Sequence, residues 1–172
     1  MAKVTNYSGN ATLLSNNLKK STYEIIIGRE ISSGDIVKSF DDSSCEILFD
    51  DKSTLIRMDS NSEIRIIDRG YKREVYVNKG SVFINSSKLD SISEYAYSDN
   101  SQMIISESRV WISIGLNQND KIVTVGDVFE ISNKYSGKRI HTNEFNIFEV
   151  SKDDIIVYDS LMLERNNNLA VE

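Results

Sequence analysis

The chain has 172 residues, 40% hydrophobic and 27% charged, a globular composition and enough length for one domain with a real core. Its formal net charge is -6, with 26 Asp and Glu against 20 Lys and Arg, which repels nucleic acid and anionic lipid and excludes both as default partners. One cysteine rules out an intrachain disulfide, no run approaches the roughly 18 apolar residues of a membrane span, and the absence of proline leaves no rigid spacer to divide the chain. One domain over residues 1–172 is expected, with no membrane insertion.

Residues 1–10 hold no apolar stretch of signal-peptide type, so either the chain is cytoplasmic as written or a leader has been removed from it. A weak helical segment is possible over residues 14–23. From there the period is two nearly everywhere. Cys45, Ile47 and Phe49 alternate with Glu46 and Leu48, and Ile64 and Ile66 with Glu63 and Arg65. Val75 and Val77 precede the turn signal Asn78-Lys79-Gly80, and Val82 and Ile84 follow it. Val110, Ile112 and Ile114 alternate with Trp111 and Ser113, Phe145 and Ile147 with Asn146 and Phe148, and Ile155 and Val157 with Ile156 and Tyr158. These are short strands rich in Ile, Val, Phe and Tyr. Polar clusters punctuate them, among them Asp41-Asp42-Ser43-Ser44, Asp50-Asp51-Lys52-Ser53, Asp59-Ser60-Asn61-Ser62 and Asn117-Gln118-Asn119-Asp120. The expected fold is therefore all-β, a short-stranded sandwich or a solenoid-like stack, because strands this short bury a face only against neighbours. The polar tail 166–172 is expected to fray.

Residues 34–67 read GDIVKSFDDSSCEILFDDKSTLIRMDSNSEIRII. This resembles the centre of FecR-type domains: a Gly-Asp pair, a hydrophobic strand, a strand closing in Phe-x-Asp-Gly-Ser, an alternating Leu strand, then an Asn-(Ser/Thr) turn and another apolar strand. The matching positions are Gly34, Asp35, Phe49, Asp50, Ser53, Leu55, Met58, Asn61, Ser62 and Ile64. Further on, Val75 to Phe83 is similar to the family's strand-Gly-strand step through Gly80, and residues 121–133 to its later Val-x-Val strand. Upstream, Gly9, Gly28 and Gly34 are spaced like the family's opening glycines. Two positions depart from the pattern. Lys52 stands where the family has Gly, placing a side chain in a turn that calls for φ > 0, and Gly115-Leu116 replaces Gly-Thr. The resemblance implies a domain without catalytic activity or cofactor, set at the cell envelope as the sensing or relay part of an anti-sigma regulator, or carried as a module in surface proteins.

The residues themselves offer little catalytic chemistry. His141 lacks a nucleophile and an orienting carboxylate nearby in sequence. One His and one Cys do not make a zinc site. The pairs Asp41-Asp42, Asp50-Asp51 and Asp153-Asp154 match no EF-hand or Gly-Asp repeat and read as solvated turns. Cys45, in phase with Ile47 and Phe49, reads as a small buried hydrophobe. Trp111 points opposite to Val110 and Ile112. It is either an exposed aromatic at a binding surface or part of a strand buried on both faces, and the second reading is preferred. The same two readings hold for Tyr71, Tyr76, Tyr95 and Tyr97. The leading expectation is a non-catalytic module that recognises a protein or envelope partner. A self-assembling subunit with pairing strand edges is the alternative. An enzyme would need a groove with two carboxylates about 5–10 Å apart and perturbed pKa values.

Overall fold

The computed structural model describes residues 1–17, 19–87, 91–126, 129–142 and 145–158. The tail 166–172 lies outside them. The fold is all-β: two nine-stranded sheets whose inner faces share one core. The chain deals its strands to the two sheets in turn. Sheet A receives β1 (Ala2–Ser8), sheet B receives β2 (Ala11–Leu14) and β3 (Thr22–Glu24), sheet A β4 (Glu30–Ile31) and sheet B β5 (Ile36–Ser39). Next come β6 (Ser44–Phe49) and β7 (Thr54–Met58) in A, β8 (Glu63–Asp68) and β9 (Lys72–Lys79) in B, and β10 (Ser81–Ser86) in A. The chain continues with β11 (Ser93–Tyr97) and β12 (Ser101–Ile105) in B and β13 (Ser108–Ile114) and β14 (Asp120–Gly126) in A. It closes with β15 (Phe129–Asn133) and β16 (Arg139–Thr142) in B, then β17 (Asn146–Val150) and β18 (Ile155–Tyr158) in A.

Spatial order follows chain order from β5 and β6 onward, 18-17-14-13-10-7-6-1-4 in A and 16-15-12-11-9-8-5-2-3 in B; at the other edge β4 lies outside β1 and β3 outside β2. The sandwich therefore grows sideways, each new hairpin laid beside the last. Every pairing is antiparallel except β9 with β11, which are parallel because β10, placed alone in sheet A, carries the chain across between them. Of the two expected architectures, the two-sheet sandwich is the one observed.

Alternation decides which side chains enter the core. Cys45, Ile47 and Phe49 point inward beside Ile56, Met58, Ile64, Ile66, Val75, Val77, Val82, Ile84, Val110 and Ile112, all at most 2% exposed. Burial pushes the Cys45 thiol up to about 12, with a smaller push from the Glu46 charge, so it packs as a hydrophobe and is a poor nucleophile at neutral pH. Two expectations change, for the segment 14–23 and for Trp111, and on β17 the fold picks one of two alternating sets. The described part of 14–23 holds the end of β2 and the start of β3 and no helix. On β17 the inward residues are Phe148 and Val150, leaving Ile147 outward and Phe145 exposed just ahead of the strand. On β13, Trp111 is 40% exposed while Val110 and Ile112 are fully buried, so the strand is buried on one face only.

One turn device recurs. A residue at positive φ followed by Ser packs against a positive-φ glycine: Asp42-Ser43 on Gly9, Asn61-Ser62 on Gly80, and Glu107-Ser108 on Gly126. At Gly80 a Cβ would lie 2.7 Å from the Ser62 Cα and 2.8 Å from the Asn61 carbonyl oxygen, so only glycine fits. The Ser62 hydroxyl accepts the Ser81 amide at 2.9 Å and donates to the Ser81 carbonyl at 3.0 Å, tying one sheet to the other at the crossing point.

Candidate functional site

The residues singled out in the sequence divide between the two ends of the sandwich, and their roles there are architectural. At one end Gly34 adopts φ 92. Asp35, buried at 3%, accepts the amides of Asn16 and Ser32, each at 2.8 Å. At the same end Phe49 closes β6, Asp50 lies exposed in the turn, and Ser53 donates to Asp51 at 2.6 Å. Leu55 lies half-buried on the outer face of sheet A opposite Leu48. Asn61, Ser62 and Gly80 meet at the other end, and Ile64 is core. No surface gathers the whole set.

Two buried polar knots that periodicity does not reveal seal these ends. At the first, Arg73 of β9 reaches across to the β6–β7 turn. It donates to Asp51 at 2.8 Å, Ser53 at 2.9 Å and Thr54 at 2.7 Å, with its guanidinium 3.6 Å from the centre of the Phe49 ring. Its register partner Glu94 lies 3.9 Å away and accepts from Thr54 at 3.1 Å and Ser86 at 2.5 Å. At the second knot Asp120 of β14 accepts from the Ser98 hydroxyl, from Ser101 at 2.8 Å and from the Asn100 amide at 3.2 Å. Burial pushes the pKa values of both Glu94 and Asp120 up, against their hydrogen bonds. For Asp51 burial also acts upward, but hydrogen bonds from Ser53 and Arg73 prevail and hold it at about 2. The two raised carboxylates sit at opposite ends of the core, 1% and 0% exposed, with no shared groove between them.

The outer faces differ. On sheet B the half-buried groups satisfy one another. Tyr76 stacks on Tyr97 at 4.7 Å with Arg65 over Tyr76 at 4.7 Å, and the Lys72 ammonium lies 4.6 Å from the centre of the Tyr95 ring. Glu74 beneath them accepts from Lys72 at 2.6 Å and Tyr97 at 3.2 Å, and Lys38 pairs with Glu63 at 2.6 Å. His141 is exposed beside Glu130 at 3.6 Å. This face is a self-contained ladder.

Sheet A presents an apolar row instead. Strand register places Phe83, Trp111, Val123, Ile147 and Tyr158 side by side on β10, β13, β14, β17 and β18. Val125, beside the row on β14, and Ile156, on β18, add to it. Trp111 and Val125 are each 40% exposed, Ile156 50% and Tyr158 37%. Phe83 and Trp111 touch with ring centres 6.1 Å apart. Arg109 and Lys121 flank the row, one on each side, and form no ion pair among the described residues. Glu149, next to Lys121 in register, is occupied by hydrogen bonds from Asn119 at 2.8 Å and Tyr158 at 3.0 Å. The outer face of an antiparallel sheet is ordinarily polar, and an uncovered apolar band rimmed by polar groups marks an interaction surface. The sequence signal was present in residues 121–125, where Val123 and Val125 stand out of phase with Ile122, but both sets are apolar and alternation alone does not say which set is uncovered. Among the described residues no three His, Cys, Asp or Glu side chains gather as a metal site.

No protein-family model matches the chain, and no curated protein matches its sequence. Two crystal structures of a putative anti-sigma factor from Parabacteroides distasonis share its fold, each with a TM-score of 0.63 at 8% sequence identity. The match covers 72% of this chain and 59% of theirs, so the chain spans well under two thirds of the length of those structures.

Proposed function

We propose that this domain is a non-catalytic regulatory module of the FecR type, which relays a signal by binding a protein partner on the outer face of sheet A. The observation that carries the proposal is the Phe83-Trp111-Val123-Ile147-Tyr158 row, an aromatic and aliphatic band left open on a face that has no core to cover. Tryptophan and tyrosine are the residue types that dominate protein interfaces. The likeness to a protein named for anti-sigma factors and the Gly34–Ile64 motif agree in pointing to regulation by protein contact. The absence of catalysis is supported by where the perturbed carboxylates sit, since Glu94 and Asp120 are spent on holding the ends of the sandwich together. The test is a photo-crosslinking amino acid placed at Trp111 and, as control, at Arg139 on the outer face of sheet B. One defined protein attached from position 111 alone, whose purified form binds the wild type and not Trp111→Arg, supports the reading. Identical products from the two faces sink it.

A second reading, self-assembly, rests on β18. This edge strand has no outer neighbour among the described residues and exposes Ile156, Val157 and Tyr158 at 50%, 45% and 37%. Such an edge is a template for pairing. Assembly of this kind predicts a solution mass that climbs with concentration and a return to monomer in Val157→Lys. A constant monomer mass refutes it.

A further inference from the structure

Resting on the docking role assigned to sheet A, we infer that its occupant is a single short amphipathic segment of a partner protein, with apolar side chains on the row and carboxylates set against Arg109 and Lys121. Size is the first argument. The row crosses five strands, four spacings of about 4.8 Å or roughly 19 Å. Between the levels of Arg109 and Lys121 the face runs about 14 Å along the strands. The patch is therefore about 270 Å², far below the roughly 800 Å² per partner of a standard protein interface. A second copy docked face to face would not hold on an area this small. A helix of about 13 residues, about 19 Å long and 10–12 Å across, covers it, and helices that lay an apolar face on a matching surface are a recurrent mode of peptide recognition.

Charge is the second argument. The outward charged residues on the five strands are Arg109, Lys121 and Glu149. Glu149 already accepts from Asn119 and Tyr158, and its pKa is lowered first by the Asn119 hydrogen bond. Arg57, level with Phe83 on the next strand, is taken up by Glu46 at 2.7 Å. Lys121 acts on the Glu149 charge, and with Arg109 and Lys121 against one carboxylate the face keeps a net positive charge, an unusual remainder for a chain of net charge -6. An anionic segment is attracted there, and a cationic one meets like charge at the rim as well as losing its match.

Trp111 is the single tryptophan, so its emission reports the face directly. The probes are three 14-residue peptides on one amphipathic pattern: leucine with glutamate, leucine with lysine, and serine with glutamate. The leucine–glutamate peptide is expected to shift Trp111 emission to the blue with saturation. At low salt it should bind at least about fivefold tighter than the leucine–lysine peptide, as two exposed ion pairs allow. The serine peptide should leave the emission unchanged. Arg109→Glu should erase the preference, and Ile147→Ser should weaken binding about fivefold with an unchanged far-ultraviolet circular dichroism spectrum. Equal or tighter binding of the lysine peptide overturns the inference, as does a blue shift with protein concentration alone that accompanies a doubled mass. A defined protein crosslinked at position 111 while the peptides are bound without regard to charge overturns the segment chemistry and leaves the docking face standing. Failure of both crosslinking and peptide binding removes the docking role itself.

Discussion

Replacing Arg73 with methionine tests how the sandwich is closed at one end. The guanidinium is 2% exposed, holds Asp51 at 2.8 Å, and stands 3.9 Å from a Glu94 side chain with no exposed surface. Methionine keeps the contact with Phe49 but strands the Glu94 carboxyl without its cation and leaves Thr54 without a donor. Removing one partner of a buried ion pair costs about 3–5 kcal/mol, and at about 2–4 °C per kcal/mol for a domain of this size the Tm should fall by about 10 °C. The pH dependence has a definite sign. Burial raises the pKa of Glu94 in the folded state, so its contribution is fully present below the unfolded value and is lost as pH rises. Asp51 behaves oppositely: held at about 2, it contributes stability above its unfolded value, and that is lost as pH falls toward 2. The Arg73 charge opposes the rise of Glu94 and helps hold Asp51 down, so in Arg73→Met both carboxyls move up, the variant loses more than the wild type as pH rises, and the gap narrows in acid. Urea unfolding at pH 7 and pH 4, with calorimetry at pH 7, measures it. Adding Glu94→Gln removes the stranded carboxylate and should recover more than half of the loss, a coupling well above 1 kcal/mol. A single-variant cost below about 1 kcal/mol, a gap independent of pH, or simple additivity in the double variant would refute the account of this end.

Three further substitutions probe the turns and the second knot. Lys52 adopts φ 59, so Lys52→Gly should stabilise the domain by about 0.5–1 kcal/mol, the relief of left-handed strain less the entropy glycine adds to the unfolded chain; an unchanged or lower urea midpoint counts against it. Gly80→Ala forces a Cβ to within 2.7 Å of the Ser62 Cα at φ 81, and a loss of about 2–4 kcal/mol is expected in the same assay, whereas a loss under 1 kcal/mol would mean the crossing turn moves freely. Asp120 is protonated more readily folded than unfolded because of burial, so its contribution is lost as pH rises, and Asp120→Asn should gain on the wild type between pH 4 and pH 7; a difference in urea midpoint that stays constant with pH would show that Asp120 carries no such penalty.

Strands that alternate apolar with polar residues were legible in the sequence. Cys45, Ile47, Phe49, Ile64 and Ile66 all enter the core as their spacing requires. Strands that are apolar on both faces were not. In Val110 to Ile114 and Asn146 to Val150 either set of residues can fill a core, and which one does depends on register against the neighbouring strand, a property of the pair and not of the segment. That is why Trp111 reads as buried from the sequence and stands exposed in the fold. The polar knots were hidden for a related reason. Arg73 and Glu94 are 21 positions apart, and nothing local marks a charged residue whose partner arrives through a parallel pairing made possible by a single strand crossing to the other sheet. The turn at Lys52 was legible, because a turn that calls for left-handed backbone does so whichever residue fills it.

The serial topology ties these observations together. Beyond the first strands, where β1 reaches across to β6, each hairpin is laid beside the previous one, and each sheet keeps one face turned away from the shared core. Such a face costs little to keep polar, and sheet B keeps its own so, each half-buried ring and charge answered by a neighbour. Sheet A, folded by the same rule from the same chain, aligns five apolar residues across five strands and places Trp111 at 40% exposure near their middle. Stability alone gives no reason for that difference, because Trp111 contributes nothing to a core it does not enter. A surface that binds does give a reason, and it requires what the structure provides: a rigid sheet, sealed at both ends by buried polar groups, that holds an aromatic row in register before a partner arrives.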